Sequence, residues 1–421
     1  MSAIRVRSPR RLTGTLRLPG DKSISHRALI FNSIAHGQAE IRGLSEGADV
    51  ASTAGCLRAL GVAMGDGWVE GRGLAGLRPA GGPLDCGNSG TTMRLLAGLL
   101  AGLPFSSALI GDASLSRRPM DRVVDPLRRM GAAAQLVPLR VGGRPLRAIS
   151  YESPVPSAQI KSALLLAGLS AEGRTEIVES APSRDHSERM LAALGAPLEA
   201  GRGRVALDGP FDALRARDVE IPGDFSAAAF WLVAASLHPG GSLRLRHVGR
   251  NPTRTTLLDV LRRLGARWTV SDERTVGGEP VADLEIRTAV DLRPFELAPD
   301  EIGSLIDELP VLAVAACLLP GTSRLAGAAE LRVKESDRIA AMAEGLGRLG
   351  AHIRELPDGW EITGGAQLRG TQVSSQGDHR VAMALAVAGL LAAGETEIDG
   401  AECVDISYPA FWADLERLCA W

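Results

Sequence analysis

Six short strings constrain this chain more than any other feature: LRALGV at 57, LRRMGA at 127, LAALGA at 191, LRRLGA at 261, LGRLGA at 346 and LERLCA at 415. They recur about every 65 to 85 residues, and a sustained period of this kind makes each copy one supersecondary unit. Each string closes an amphipathic helix with leucines three apart, and in five copies a glycine follows at the C-terminal cap. About halfway between them lies a second, more apolar set: SHRALIFNSIAHG, GTTMRLLAGLLAG, AQIKSALLLAGL, FSAAAFWLVAASL, SLIDELPVLAVAACL and DHRVAMALAVAGLLAAG. Helices hydrophobic nearly all round belong in an interior. Short alternating runs such as AEIRGL, TEIVES, SLRLRHV and TEIDG follow them and read as strands. The unit is strand, buried helix, strand, amphipathic helix and further strands, six times over.

A chain of 421 residues is too long for one core, so the expectation is two α/β domains of three repeats each, with the buried helices inside. The pattern breaks at Pro222, Gly223 and Asp224. The strand RLTGTLRLPG precedes the first repeat and is expected to join the far half. Residues 1–20 with 224–421 then form one domain and 21–223 the other, the chain crossing near Gly20 and Gly223.

A formal net charge of −2 argues against a nucleic-acid binder, so any anion site must be a local pocket. The basic N-terminus has no apolar run after it, and the longest apolar stretches, such as 381–394, fall short of the roughly 18 to 20 residues of a membrane span. A cytoplasmic protein without membrane contact, and a monomer, is expected. Five cysteines with no CxxC spacing make disulfides and a zinc cage poor readings, and small buried hydrophobes the better one.

Polar residues gather at the starts of the apolar helices. In LPGDKSISHRALIF, Lys22, Ser23, Ser25 and Arg27 fall on a first helical turn, where unpaired N–H groups and a partial positive charge favour an anion such as phosphate. An ordinary cap, made by Ser23 or Asp21 beside solvated basic chains, explains the same residues equally well. Of 47 Lys plus Arg, only Lys22, Lys161 and Lys334 are lysine. Where arginine serves as the general cation, a retained lysine marks a need for a compact ammonium. Lys161, in AQIKSALLLAGL, reads equally as a helix surface residue.

Other helix starts supply Asn88, Ser89, Gly90 and Thr91, then Arg117 and Arg118, Ser157, Ala158 and Gln159, and Arg184. The second half supplies Asp307, then Lys334, Glu335, Asp337 and Arg338, and finally Asp378, His379 and Arg380. Singly, Ser157 and Asn88 read as caps, Asp337 with Arg338 as a surface pair and Gly90 as a turn residue; recurrence at equivalent places in a repeat is what points to a site. Asp307 and Glu335 among so many cations suit proton transfer, with charge-neutralising ion pairs as the plainer reading. His379 suits an acid, a base or an orienting donor.

Together LPGDKSISHRAL, LDCGNSGTTMRL, SRRPMDRVVDPL, SAQIKSALLLAG, SRDHSERML, NPTRTTLLDVL, IDELPVLAVAA, RVKESDRIAAMA and GDHRVAMALA resemble the 3-phosphoshikimate 1-carboxyvinyltransferase (EPSP synthase) family along the whole chain. The resemblance implies a two-domain inside-out α/β barrel of six βαβαββ repeats. It also implies transfer of the enolpyruvyl group of phosphoenolpyruvate to the 5-hydroxyl of shikimate 3-phosphate, with release of phosphate and without metal or organic cofactor. Lys22, Ser23, Arg27, Ser157, Ala158, Gln159, Arg184, Asp307 and Lys334 would hold shikimate 3-phosphate. Lys22, Gly90, Arg118, Gln159, Arg338, His379 and Arg380 would hold phosphoenolpyruvate, so Lys22 meets both. Asp307, Glu335 and Lys22 are the implied catalytic groups: Asp307 takes the hydroxyl proton, and Glu335 protonates the methylene carbon and later removes a proton. Glyphosate is the implied competitor of phosphoenolpyruvate, with Leu95 standing where many sensitive members have proline.

Two positions depart from the family pattern. Ile406, in VDISYPAF, stands where many members carry lysine, and Ala158 replaces a serine, leaving only its backbone N–H to donate. The alternatives are the sister transferase acting on UDP-N-acetylglucosamine and a non-catalytic anion-binding paralogue. The former usually has cysteine where this chain has Asp112, and Asp307, Glu335 and the lysines speak against the latter.

Overall fold

The helices follow the period read from the sequence. In a computed structural model that describes residues 3–136, 138–201 and 203–420, they are α1 (Lys22–Ser33), α2 (Ala48–Ala59), α3 (Gly90–Ala101), α4 (Asp121–Arg129), α5 (Ala158–Gly168), α6 (His186–Ala193), α7 (Phe225–Leu237), α8 (Thr256–Arg263), α9 (Ile302–Leu305), α10 (Leu309–Leu318), α11 (Arg338–Arg348), α12 (His379–Leu391) and α13 (Phe411–Leu418). The apolar set, α1, α3, α5, α7, α10 and α12, is buried on nearly every face. The amphipathic set buries one stripe: α8 covers Leu257, Leu258, Val260 and Leu261 and leaves Arg262 and Arg263 outside. Gly61, Gly131, Gly195, Gly265 and Gly350 each follow such a helix with φ between +88° and +100°, a backbone that costs a side chain dearly.

The chain divides into two compact units, one of Met1–Pro19, Pro222–Arg274 and Pro280–Trp421, the other of Gly20–Ile221 and Thr275–Glu279. Each has its own hydrophobic core, around α7, α10 and α12 in the first unit and α1, α3 and α5 in the second.

Sheet topology explains how a repeat closes. In the second unit, Leu84–Asp85 runs parallel to Ser106–Ile110, joined to it through buried α3, and Leu139–Gly142 then pairs antiparallel. Leu146–Arg147 and Ser150–Ser153 stand in the same relation to Ala171–Glu179 through α5. The first repeat takes its parallel strand from Val219–Glu220, which pairs with His36–Arg42. In the first unit Arg11–Arg17 fills that place beside Gly241–Gly249. Ala3–Arg7 lies antiparallel to Glu395–Asp399, and Cys419–Ala420 pairs with Arg11–Leu12, so both ends of the chain are tied into sheets.

Two details depart from the periodic reading. SLIDELPVLAVAACL is not one helix: α9 stops at Leu305 and α10 starts at Leu309, with Pro310 in its first turn. Proline has no N–H to bond back into a preceding turn, and Asp307 sits in the break. The tip Thr275–Glu279, between the strands Arg267–Val276 and Glu279–Arg287, groups with the second unit rather than with the strands that carry it. All five cysteines are free, and no helix among the described residues is long and apolar enough to cross a membrane.

Candidate active site

In the second unit the polar residues collect at the N-termini of α1, α3 and α5. Asp21 caps α1, accepting from the Ile24 N–H at 2.9 Å, and so leaves Lys22 at the first helical position. Lys22 Nζ lies 3.0 Å from Oδ2 of Asp49 in α2. Arg27 is buried one turn on, and donates from Nε to Ser187 Oγ and from Nη2 to Ser162 Oγ at 2.7 Å each, and from Nη1 to the Ser23 carbonyl at 2.9 Å. Burial pulls its guanidinium down to about 10, although Glu188 and Asp21 pull the other way. Arg27 thus ties α1 to α5 and α6 and remains charged at neutral pH.

At α3, Ser89 rather than Asn88 makes the cap. The Asn88 side chain instead accepts from Arg118 Nη2 at 2.6 Å and donates to Asp112 at 2.7 Å, which aims Arg118 at the start of the helix. A Cβ on Gly90 would meet Arg94 Nη1 at 2.7 Å and Arg118 Nη1 at 3.4 Å, so the glycine lets two guanidinium groups approach the helix start. Gln159 is held from both sides, accepting from Arg94 Nη1 at 2.6 Å and donating to Thr91 Oγ1 at 2.9 Å. Ser157 caps α5. Arg184 is half-buried in the loop before α6.

The first unit gathers the rest. Arg338 is buried at the start of α11 and is surrounded by carboxylates: Nε at 2.7 Å from Asp378 Oδ2, Nη2 at 2.5 Å from Glu335 Oε2 and Nη1 at 3.5 Å from Asp307 Oδ1. Burial disfavours the cation, but Asp378, Glu335 and Asp307 outweigh it and hold the guanidinium above its ordinary range. Arg380 approaches Asp307 Oδ2 at 3.5 Å and donates to the Asp307 carbonyl at 3.1 Å. Asp378 caps α12, so His379, buried, and Arg380 form its first turn. Lys334 is half-buried between the 3-10 turn Ala329–Val333 and α11. The structure therefore brings Asp307, Glu335, Arg338 and Arg380 into one charge cluster, and Asp337, the cap of α11, is paired with Arg332 at 2.7 Å instead of with Arg338.

Three neighbours of these residues escaped the sequence reading. Arg94 lies four residues after Gly90, the spacing that puts both on one helix face, and that was its available signal. Asp49, on α2, carried no signal. Glu308 is buried beside Asp307 and accepts from Ser226 Oγ at 2.5 Å, with Arg254 donating to the same hydroxyl at 2.7 Å; these contacts fix the break between α9 and α10. Among the described residues, one group has the donor set for a cation: Asp185, His186 and Glu279, with ligand atoms within 4.8 Å of one another. There His186 Nδ1 is 2.8 Å from Glu279 and Asp185 pairs with Arg189 at 2.9 Å, which describes an ion-paired cluster.

Each unit is a three-repeat α/β body around buried helices with cations at its helix N-termini, and the first unit also carries a pair of carboxylates, the equipment of an anion-handling enzyme class. A solved EPSP synthase of Acinetobacter baumannii superposes with a TM-score of 0.87 at 40% identity, covering 99% of this chain and 98% of that one. The profile of the EPSP synthase (3-phosphoshikimate 1-carboxyvinyltransferase) family matches residues 6–415. Proteins named 3-phosphoshikimate 1-carboxyvinyltransferase are 53% identical in Gloeobacter violaceus, over 99% of each chain, and 52% identical in Synechococcus sp. WH7803, over 97% of this chain and 96% of that one. The chain belongs to the EPSP synthase family.

Proposed function

We infer that this chain catalyses transfer of the enolpyruvyl group of phosphoenolpyruvate to the 5-hydroxyl of shikimate 3-phosphate, releasing phosphate. The observation that carries the assignment of roles is the Asp307 carboxylate set between Arg338 and Arg380, with Glu335 on the same Arg338 guanidinium. Two anionic substrates need cations, and proton transfer needs acids and bases; this cluster supplies both.

In this reading Lys22, Ser23, Arg27, Ser157, the Ala158 N–H, Gln159, Arg184 and Lys334 hold shikimate 3-phosphate. Lys22, Gly90, Arg118, Gln159, Arg338, His379 and Arg380 hold phosphoenolpyruvate. Asp307 accepts the proton of the 5-hydroxyl as its oxygen bonds to C2 of phosphoenolpyruvate, while Glu335 delivers a proton to the methylene carbon. Glu335 then takes a proton back from the new methyl group as the C–O bond to phosphate breaks. Atoms and charge balance over the cycle, since the hydroxyl proton leaves with phosphate. The enzyme works as a cytoplasmic monomer on small-molecule substrates, with no nucleic-acid or membrane partner.

Incubating the protein with shikimate 3-phosphate and phosphoenolpyruvate and following phosphate release tests the reading. Release with UDP-N-acetylglucosamine in place of shikimate 3-phosphate, or with neither, would overturn it.

A further inference from the structure

Lys161 is not the surface residue that its place in an apolar helix allows. Its side chain is 4% exposed, and its ammonium lies 2.8 Å from Glu179 Oε2, 2.7 Å from Glu188 Oε1 and 3.4 Å from the Ser183 carbonyl. Three acceptors for three donors is a full complement for an ammonium. Burial pushes the Glu188 carboxyl up, and Lys161 is the main group that opposes it.

Glu179 passes the arrangement on. It ends the strand Ala171–Glu179, accepts from the Ser157 N–H through Oε1 at 3.1 Å, and from the Ser183 N–H through Oε2 at 3.4 Å. The same Lys161–Glu179 pair therefore fixes two backbone segments: the entry to α5, which carries Ser157, Ala158 and Gln159, and the loop residue just before Arg184. Glu188 adds α6, whose Ser187 receives Arg27. The position of Ala158 makes this matter, because that residue has only a backbone N–H to offer a ligand, and a backbone donor is aimed by its turn alone.

We propose that Lys161 is a positioning residue for shikimate 3-phosphate: through Glu179 and Glu188 it sets the Ser157–Gln159 turn and the Ser183–Arg184 loop that bind this substrate. The inference rests on the site assignment above. Lysine suits the place because three acceptors converge on a point, whereas a planar guanidinium spreads its donors.

The test is steady-state kinetics on Lys161→Met, Lys161→Arg and Glu179→Gln, with kcat referred to titrated active sites and thermal melts alongside. Lys161→Met is expected to raise KM for shikimate 3-phosphate about ten-fold or more while KM for phosphoenolpyruvate changes less than about two-fold. Lys161→Arg should show the same selective rise, and Glu179→Gln, which keeps a neutral acceptor for Ser157, a smaller one in the same direction. Lower melting temperature and a smaller active fraction with both KM values unchanged, in any variant that folds, would overturn the proposal. Should Lys161→Met fail to fold, Glu179→Gln decides by the same criterion. Ser157→Ala and Arg184→Ala separate the two levels: if neither raises KM for shikimate 3-phosphate, the site assignment fails; if both do and the Lys161 and Glu179 variants do not, only the present inference fails.

Discussion

Lys22 Nζ and Asp49 Oδ2, from α1 and α2, are 3.0 Å apart, with the lysine held at the first position of its helix by the Asp21 cap. An arginine at 22 could still pair with Asp49, so the fold should tolerate it. If Lys22 meets both substrates as proposed, a planar fork cannot replace its ammonium at close range. Lys22→Arg is expected to keep its melting temperature within a few degrees and lose about two orders of magnitude in kcat/KM. Near-normal kcat/KM would remove Lys22 from the catalytic groups.

Asp307 and Glu335 share Arg338, yet that guanidinium also holds Asp378 at 2.7 Å. Neutralising either carboxylate therefore leaves the buried cation paired, and stability should change little. Asp307→Asn and Glu335→Gln are expected to bind shikimate 3-phosphate in calorimetric titrations while kcat falls about 10²- to 10⁴-fold, the usual range for a lost proton-transfer group. Loss of binding with residual turnover unchanged would make them structural.

Periodicity carried the fold because it is a local signal. Leucines three apart, closing glycines and all-apolar helices are each written within a dozen residues, and the helices lie where those signals put them, except that SLIDELPVLAVAACL is split into α9 and α10. The helix N-termini that carry the proposed site were legible for the same reason. Asp21, Ser89, Ser157 and Asp378 do cap helices, and each cap leaves its neighbours on a first turn. What stayed hidden was decided by partners far along the chain. Burial of Lys161 depends on Glu179 and Glu188, and Arg94 is placed by Gln159, 65 residues away. No local pattern says that a lysine in an apolar helix will find two carboxylates. The break that holds Asp307 was written as Pro310, but an apolar run on either side masked it.

His26 is buried in α1 and bonded through Nδ1 to Thr53 Oγ1 at 2.7 Å, which in turn meets Thr92 Oγ1 at 2.6 Å, linking α1, α2 and α3. Burial, with repulsion from Lys22 and Arg27, holds its imidazole well below the ordinary 6.5. The unfolded chain then binds a proton that the fold refuses, so the stabilisation is complete above about pH 6.5 and is lost as pH falls below it, by up to about 1.4 kcal/mol per unit. His238, lowered by burial, acts in the same direction. Glu188, raised by burial, acts in the opposite one, gaining stability as pH falls toward 4.5. Urea unfolding at pH 7.5 and 5.5 should show that His26→Gln loses less stability across this interval than the unsubstituted protein, by about 1 kcal/mol. Equal losses would mean that His26 is not the group responsible.

Gly90 opens α3 where a Cβ would press on Arg94 Nη1 at 2.7 Å and approach Arg118 Nη1 at 3.4 Å. Both contacts are to the ends of flexible side chains, so Gly90→Ala should fold, with the methyl group displacing Arg94 rather than the backbone. Arg94 aligns Gln159, and Arg118 is assigned to phosphoenolpyruvate, so the displaced guanidinium groups should crowd any ligand beside this turn. Glyphosate, in the proposed reading a competitor of phosphoenolpyruvate, is the longer of the two and has more to lose from a smaller space. The expected result is a rise in its inhibition constant of about ten-fold or more, against a rise of about two- to three-fold in KM for phosphoenolpyruvate. Both constants should be measured in the two proteins under one set of conditions. An unchanged ratio would show that Gly90 does not line the phosphoenolpyruvate site, and would leave the cap at Ser89 and the alignment of Arg94 as the reasons for a glycine at this position.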